Sequence, residues 1–313
     1  MLLYFEWSAI QITGGVPVLR LRGRDRIGHM TRDDFEGWLV DVGRRPLVMG
    51  VLNVTPDSFS DGGRYADPAA AVAHGVELFE AGADLLDVGG ESTRPGAERT
   101  SAQEQVRRVL PVIEALVKER GDHCLISIDT TRATVARAAL DAGAAIINDI
   151  SAGCDDSEML GLAALRSSPI VLMHMQENPA TMQNKPTYRN VVEEVGVFLT
   201  ERAAAARTAG VAGHRILLDP GIGFGKNVNH NLELLRRLGE FTSMGYPLVL
   251  GTSRKGFLGK ISGESDPHDR LFATAASVAW CIANQAAIVR VHDVAAMVKV
   301  MRVIRAIQHG VEE

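Results

Sequence analysis

Short apolar runs alternate with longer, Ala-rich segments of helical periodicity along most of the chain. This alternation constrains the fold more than any other feature, because the two patterns are typical of strands and of helices. The runs that predict strands cover residues 47–52, 84–88, 124–128, 145–150, 169–173, 215–218, 247–250 and 287–291. The segments that predict helices cover residues 69–81, 102–119, 132–142, 158–165, 191–209, 231–238, 269–283 and 294–307.

The predicted strands read as continuous apolar runs, which indicates burial on both faces and favours a parallel sheet covered by helices. Eight strand–helix units are the number that closes a (β/α)8 barrel, and 313 residues suit one such barrel with additional residues. A doubly wound open sheet is the alternative, but no Gly-x-Gly-x-x-Gly pattern follows the first strand. The sequence therefore predicts an α/β fold, a single TIM barrel with an N-terminal extension.

The first 45 residues do not share this alternation. Residues 16–21 alternate with basic side chains and predict an exposed strand, and residues 32–39 predict a short helix. We expect residues 1–45 to form an extension that is either a lid on the closed bottom of the barrel or partly disordered. Residues 46–313 are expected to form the barrel itself.

Composition excludes several classes of function. A net charge of −5 gives no support for nucleic-acid binding or for binding to an anionic membrane. The three cysteines are far apart and form no metal-binding spacing, which indicates free thiols in a reducing, cytoplasmic compartment. No apolar run approaches the ~20 residues that span a bilayer. Glu6 interrupts the first apolar run and no basic stretch precedes it, so we expect no signal peptide.

Polar side chains stand at or just after the ends of nearly all the predicted strands. A single residue of this kind is usually a helix cap or a turn residue. In a parallel barrel, however, all these ends converge on one face, and a ring of buried polar groups without partners is costly. The ring therefore predicts a polar ligand. Its members are Asn53, Asp87, Asp129, Asn148, His174, Asp219, Thr252, Ser253, Lys255, Arg290 and His292.

The residue types indicate two kinds of ligand. Asp129, Asn148 and Asp219 offer acceptors that suit the adjacent N–H donors of a 2-amino-4-oxopyrimidine ring, and Lys255 is a donor for its carbonyl. A second set suits a pyrophosphate with a hard divalent cation such as Mg²⁺, which takes oxygen ligands. That set comprises Asn53, Arg94, Arg290 and His292. A solvated rim is the alternative interpretation of Arg290 and His292.

Long motifs of unusual composition closely resemble the signatures of the dihydropteroate synthases, in that family's order. They cover residues 46 to about 308 but not the N-terminal extension. The motifs are MGVLNVTPDSFSDGGRY (49–65), DVGGESTRPGA (87–97), SIDT (127–130), INDIS (147–151), MHMQENPATMQ (173–183), LDPGIGFGK (218–226), GTSRKGFLG (251–259) and RVHDV (290–294).

The resemblance implies a transferase of folate biosynthesis that binds pterin, uses Mg²⁺ and is a sulfonamide target. Its reaction would join 6-hydroxymethyl-7,8-dihydropterin pyrophosphate to p-aminobenzoate, giving 7,8-dihydropteroate and pyrophosphate. It also implies a cytoplasmic homodimer built through helices late in the barrel, where residues 273–283 are apolar on most of their circumference. No nucleic-acid or membrane partner is expected.

The resemblance also assigns roles to individual residues. The pterin would contact Asp129, Asn148, Met173, Asp219, Phe224 and Lys255. The pyrophosphate would contact Asn53, Thr93, Arg94, Arg290 and His292, with Asn53 as the Mg²⁺ ligand. The p-aminobenzoate would contact Phe59, Pro95, Ser253 and Lys255. The residues expected to matter most for catalysis are Asp129, Asn148, Asp219, Lys255, Arg290 and His292.

Two alternatives remain open at this point. A barrel that transfers a methyl group from a folate to a corrinoid would share the pterin-binding carboxylates and amide. The SFSDGG loop at 58–63 and the SRK string at 253–255 are not expected in such a protein. A non-catalytic relative that binds pterin without turnover is the second alternative, and the complete set of expected anion-binding residues argues against it.

Overall fold

A computed structural model describes residues 30–55, 67–92, 99–177 and 181–310 of the chain. Eight strands and eleven α-helices lie within these ranges. The strands are β1 (Leu47–Asn53), β2 (Leu85–Gly89), β3 (Ile126–Asp129), β4 (Ile146–Asp149), β5 (Ile170–Met173), β6 (Ile216–Asp219), β7 (Val249–Leu250) and β8 (Ile288–Val291). The helices are α1 (Arg32–Val40), α2 (Pro68–Glu80), α3 (Ala102–Arg120), α4 (Ala133–Asp141), α5 (Met159–Leu165), α6 (Val191–Thr208), α7 (Val228–Arg236), α8 (Leu238–Thr242), α9 (Gly256–Ser262), α10 (Leu271–Ala283) and α11 (Val294–His309).

The strands form one parallel sheet that closes on itself. Their order is β6-β5-β4-β3-β2-β1-β8-β7, and a parallel bridge between Leu218 and Leu248 joins the two ends. Consecutive strands are neighbours, as the short right-handed crossovers of a (β/α)8 barrel require. The predicted TIM barrel is confirmed, and the open-sheet alternative is excluded.

Two apolar clusters stabilise the barrel. The larger lies between the sheet and the surrounding helices, as expected for strands that are apolar on both faces. The smaller fills the barrel interior at the amino ends of the strands, where α1 packs with Phe35, Trp38 and Leu39. The Trp38 indole donates to the Arg45 carbonyl at 2.7 Å. Helix α1 thus covers the end of the barrel opposite to the carboxyl ends of the strands.

A buried ion pair ties the approach to β1 to the strand beside it. The Arg45 guanidinium donates to both carboxylate oxygens of Asp84, at 3.0 and 2.6 Å, and Asp84 also accepts from the Val48 amide. A bidentate pair of this kind fixes both position and angle. The predicted boundary between residues 45 and 46 stays a prediction, and the predicted strand at 16–21 lies outside the described residues.

The helix predictions were wrong in two places. The segment predicted as one helix at 231–238 is two helices, because Arg237 leaves helical geometry between α7 and α8 with φ −108° and ψ 30°. Helix α7 also begins earlier, since Asn227 caps it and shares a capping box with His230. Helix α9 was not predicted, because its sequence GFLGKIS carries two glycines and only one full turn of apolar spacing.

Candidate active site

A cavity of about 830 Å³ opens at the carboxyl ends of the strands. This is the face where barrel enzymes carry their active sites. Every residue within the described ranges that the family resemblance assigns to a ligand lines the cavity: Asn53, Asp129, Asn148, Met173, Asp219, Phe224, Ser253, Lys255, Arg290 and His292. The predicted residues Phe59, Thr93, Arg94 and Pro95 lie outside the described residues.

A hydrogen-bonded network joins two walls of the cavity. The Arg290 guanidinium donates to Asp87 at 2.6 Å through Nε and to Asp129 at 3.0 Å through Nη2. Asp87 also accepts from the Asn148 side-chain amide at 2.9 Å. Because the amide nitrogen of Asn148 is held by Asp87, its oxygen is left to accept from another group. Asp87 thus fixes two cavity-lining side chains without lining the cavity itself.

Burial and a neighbouring like charge disfavour the ionised form of Asp129 in this network. Asp87 is fully buried, and its Oδ1 atom has no hydrogen-bond partner among the described residues. Burial raises the pKa of Asp129, the nearby Asp87 raises it further, and Arg290 opposes both. Burial disfavours the Arg290 cation, but the two carboxylates outweigh it and hold the guanidinium pKa above its usual value. Donors from a ligand would stabilise the Asp129 carboxylate.

Asp219 ends β6 and begins a tight loop. Its carboxylate accepts from the Gly221 amide at 2.7 Å. Burial raises the pKa of Asp219 to about 6, against the opposing effects of the Gly221 amide, Lys255 and Lys226. Gly221 has φ +68°, and a Cβ at this position would lie 1.8 Å from the His174 carbonyl oxygen. Only glycine fits this turn, which delivers Asp219 into the cavity.

Lys255 lies near both cavity carboxylates, Asp129 and Asp219. Its Nζ atom is 4.0 Å from the centre of the Phe224 ring, a cation–π contact. Burial lowers the pKa of Lys255 to about 8, and the positive charge of Arg290 lowers it further. Asp219 and Asp129 oppose this shift. The side chain is therefore a cation held near its point of deprotonation beside an aromatic surface.

Arg254 stands between Ser253 and Lys255, and all three residues line the cavity. Arg254 has φ +58° and pairs with Asp293, its Nε at 3.0 Å and its Nη2 at 2.5 Å from the carboxylate. Its backbone amide donates to the Thr274 hydroxyl. The ion pair therefore joins the loop after β7 to the loop after β8 and sets the direction of both neighbours of Arg254.

His292 is a neutral side chain. Burial lowers its pKa to about 3, and the neighbouring cations Arg290 and Arg254 contribute. Its Nδ1 atom is 3.0 Å from the Ser253 hydroxyl, which also accepts from the His292 backbone amide at 3.2 Å. Towards an anion this imidazole offers an N–H donor rather than a positive charge. The sequence allowed up to three cations here, and among the described residues Arg290 is the one charged member.

Three strand-end residues do not reach the cavity as predicted. Thr252 is buried and hydrogen-bonded to the Ser277 hydroxyl at 2.9 Å, because α10 packs behind β7. Asp87 is one layer below the surface, as described. His174 turns into the protein, where its ring packs edge-on against Phe198 at 4.9 Å and contacts Lys226.

Lys226 is a cavity residue that the sequence interpretation missed. It is 2% exposed, yet it lines the same cavity as Asp219. Its position in the LDPGIGFGK motif did not show that the side chain is buried in the cavity, because this burial depends on contacts with His174, which is distant along the chain.

The fit of a divalent cation rests on Asn53. Its side chain ends β1 and lines the cavity, and a Cβ on Gly89 of the neighbouring strand would lie 3.8 Å from the Asn53 side-chain oxygen. Within the described ranges no cluster of three or more His, Cys, Asp or Glu side chains could hold a metal ion. One amide oxygen suits a weakly held Mg²⁺ that keeps its waters and phosphate ligands, and does not suit a tightly held zinc ion.

Comparison with known proteins identifies the family. The sequence profile of the pterin binding enzymes matches residues 49–292. A dihydropteroate synthase of Synechocystis is 47% identical over 269 residues, which are 86% of this chain and 92% of that protein. The dihydropteroate synthase of Xanthomonas albilineans, solved with 4-aminobenzoic acid, is 46% identical, with a TM-score of 0.79 over 85% of this chain and 94% of that one. The Yersinia pestis dihydropteroate synthase, solved with a sulfonamide drug, is 42% identical, with a TM-score of 0.79 over 84% and 94%.

The barrel, the polar cavity and these matches show that the chain belongs to the pterin-binding enzymes. Within that class it belongs to the dihydropteroate synthases, the transferases of folate biosynthesis. The family predicted from the motifs is therefore confirmed. The alternative, a barrel that transfers a methyl group from a folate to a corrinoid, is excluded. No helix in the described ranges has both the length and the apolar character to cross a membrane.

Proposed function

We propose that the cavity residues divide the dihydropteroate synthase reaction into a pterin side and an anion side. On the pterin side, Asp129, Asn148 and Asp219 accept the N–H donors of the ring, and Lys255 donates to its carbonyl. Met173 and Phe224 form the apolar walls of the slot. The observation that carries this proposal is the common cavity, in which two buried carboxylates and an amide oxygen face the same space. Carboxylates accept paired donors strongly because the hydrogen bonds are charge-assisted.

On the anion side we propose Arg290 and His292, together with Thr93 and Arg94 of the segment outside the described residues. Arg290 brings its charge, and neutral His292 brings an N–H donor. Asn53 would hold Mg²⁺ through its amide oxygen, with substrate phosphates as further ligands. The ion, when bound, would neutralise the charge that develops on the leaving pyrophosphate.

The arylamine side comprises Ser253 and Lys255, with Phe59 and Pro95 as further proposed contacts. Support comes from the turn at Arg254, which directs both neighbours of this residue into the cavity. The relatives solved with 4-aminobenzoic acid and with a sulfonamide support binding of p-aminobenzoate and its mimics by this chain.

The chemistry follows from these charges. The C–O bond to pyrophosphate breaks as Arg290 and His292 stabilise the departing oxygens, and the exocyclic carbon becomes positive. The electron-rich dihydropterin delocalises that charge, and the carboxylates of Asp129 and Asp219 stabilise it electrostatically. The neutral arylamine then forms the N–C bond and releases its proton to water. A neutral arylamine needs no strong base, so the mechanism requires no nucleophilic residue.

Two further proposals concern the assembly and its compartment. Helices α10 and α11 pack together and expose large apolar side chains, and this surface supports a homodimer contact. The exposed side chains are Phe272, Trp280, Val303 and Ile307. Light scattering of the wild type and of Phe272→Arg tests the dimer. Cys124, Cys154 and Cys281 are all free thiols, which supports a reducing, cytoplasmic location.

Release of pyrophosphate tests the proposed reaction directly. The substrate is the dihydropterin pyrophosphate, assayed with Mg²⁺ and either with or without p-aminobenzoate. We expect rapid release that depends on the arylamine and equals the amount of dihydropteroate formed. Release that is absent in both conditions would exclude turnover, and release without dihydropteroate would indicate hydrolysis instead.

A further inference from the structure

Lys226 is a buried cation with neutral partners. Its ammonium group donates to the Phe224 carbonyl at 2.9 Å and contacts the His174 carbonyl at 3.4 Å. The third contact is His174 Nδ1 at 3.0 Å. An ammonium has three donors, and these three acceptors use all of them. His174 must therefore accept at Nδ1, which places its own proton on Nε2.

His174 is built to be that acceptor. Its ring is buried between Phe198 and Tyr188, and its backbone amide donates to the Asp219 carbonyl at 3.0 Å. Burial lowers the pKa of His174 to about 3, and the neighbouring Lys226 lowers it further. A histidine kept neutral accepts from an ammonium at neutral pH.

The ammonium also holds the loop that carries Asp219. A Cβ on Gly221 would lie 3.4 Å from Lys226 Nζ, so the charge rests in the concave side of the turn. The Asn231 amide and the Tyr188 hydroxyl hold other carbonyls of the same loop, those of Lys226 and Gly225. Lys226 is therefore fixed both to the end of β5 and to the turn at Gly221, whose backbone amide donates to the Asp219 carboxylate at 2.7 Å.

Asp219 needs a cation in this place. The charged groups that face it are Lys226, Lys255 and Arg290. Arg290 is bound to Asp87 and Asp129. Lys255 lies over the Phe224 ring and interacts with both Asp219 and Asp129. Lys226 is faced by Asp219, by the like charge of Lys255, and by the two histidines His174 and His230, whose pKa values are both lowered. Of these three cations, Lys226 is the one whose pKa is shifted by no carboxylate other than Asp219.

We propose that Lys226, oriented by His174, is a positioning residue whose buried ammonium keeps the Asp219 carboxylate ionised for pterin binding. This inference rests on the proposed pterin-binding role of Asp219. The pKa directions agree, since burial raises that of Asp219 to about 6 and lowers that of Lys226 to about 7. The carboxylate is thus close to protonation, and a neighbouring cation decides its state.

The test is the pH dependence of pterin affinity. Calorimetry with 6-hydroxymethylpterin compares the wild type with Lys226→Met between pH 5.5 and pH 8.5. Loss of an adjacent opposite charge raises a carboxyl pKa by about one unit or more. The variant should match the wild type within about threefold at pH 8.5 and bind about tenfold more weakly near pH 5.5. The ratio of the two proteins at each pH cancels the titration of the ligand.

Two control variants sharpen the result. Lys226→Arg keeps the charge, so its affinity relative to the wild type should not change with pH. Lys118→Met makes the same substitution at an exposed lysine of α3 and should bind like the wild type. A deficit of Lys226→Met that is equal at every pH would mean a purely structural role and would overturn the proposal.

Thermal unfolding shows whether each variant is folded. If Lys226→Met does not fold, Lys226→Gln replaces it, because its amide still donates to the Phe224 carbonyl. If neither folds, His174→Phe is measured, because it removes the acceptor that orients the Lys226 ammonium. A loss of affinity relative to the wild type that grows as the pH falls supports the proposal, and a ratio that stays constant with pH overturns it. A wild type that does not bind 6-hydroxymethylpterin would instead refute the proposed pterin site.

Discussion

Asp87→Asn tests whether a residue outside the cavity sets the geometry inside it. Asp87 uses one oxygen, Oδ2, for both Arg290 and Asn148, while Oδ1 has no partner in the part of the chain that the structure describes. An asparagine oxygen in the place of Oδ2 keeps both contacts but loses the charge. Hydrogen bonds to charged groups contribute about 1.5–3 kcal/mol and neutral ones about 0.5–1.5 kcal/mol, so the two weakened contacts cost about 2–3 kcal/mol together.

The new amide nitrogen adds a second penalty, because it is a donor at a buried position that offers no acceptor. The cavity has to adjust, and the Arg290 guanidinium, still bound to Asp129, shifts from the position that Asp87 gave it. We expect kcat/KM to fall about 100-fold, which corresponds to about 2.7 kcal/mol. The measurement is the steady-state rate of pyrophosphate release, with urea unfolding of the same preparation.

Asp84→Asn is the matched control. Asp84 is as buried as Asp87 and also pairs with an arginine, Arg45, but at the opposite end of the barrel. The control should lose comparable stability and keep kcat/KM within about threefold of the wild type. If Asp87→Asn is folded and also keeps kcat/KM within about threefold, Asp87 does not position the cavity residues and the reasoning fails.

Four further predictions concern the site. Asp219→Asn should lose about 30- to 1000-fold in activity, because it presents a donor to the pterin donors, and wild-type turnover would contradict the assignment. Activity should require Mg²⁺ or Mn²⁺ in metal-depletion assays, whereas a required stoichiometric zinc would refute weak oxygen ligation by Asn53. Calorimetry should detect p-aminobenzoate binding only with pterin, pyrophosphate and Mg²⁺ present. The sequence predicts that the Gly- and Pro-containing segments at 56–65 and 92–100, most of which lie outside the described residues, complete the arylamine site only after the anion has bound. Equal affinity without these ligands would mean a preformed pocket. His174→Gln should change how the free energy of unfolding depends on pH. Because folding lowers the pKa of His174, the neutral ring contributes stability at neutral pH, and this stability is lost as the pH falls below about 6.5. Between pH 6.5 and pH 5 the variant should lose about 2 kcal/mol less than the wild type in urea unfolding, and equal losses would show that His174 is not held neutral.

The sequence was sufficient for the barrel because its strands are apolar on both faces and its helices are long. The strand ends then located the cavity-lining Asp129, Asn148 and Asp219, since parallel strands end on one face. What the sequence could not provide is the direction of side chains in turns. His174 packs into the protein against Phe198, and Arg254, which has a positive φ, lines the cavity while paired with Asp293. Neither orientation follows from the residue type.

The sequence could not predict the charge states of the site residues either. A histidine and an arginine next to an expected anion site suggested two cations, but burial among cations makes His292 neutral. Lys226 was missed because its burial depends on the carbonyl of His174, which directly follows β5 and is 52 positions away along the chain. Such long-range packing leaves no periodic pattern in the sequence.

The glycine turn after β6 has a consequence for how this enzyme can change during evolution. A side chain on Gly221 would collide with the His174 carbonyl, and one on Gly225 would meet the Gln176 carbonyl oxygen at 2.7 Å. Neither obstacle is a flexible group that can move aside. Mutations here are therefore lost to selection before they alter ligand choice. Variants that discriminate against an inhibitor while still accepting the natural substrate must arise on other parts of the cavity wall.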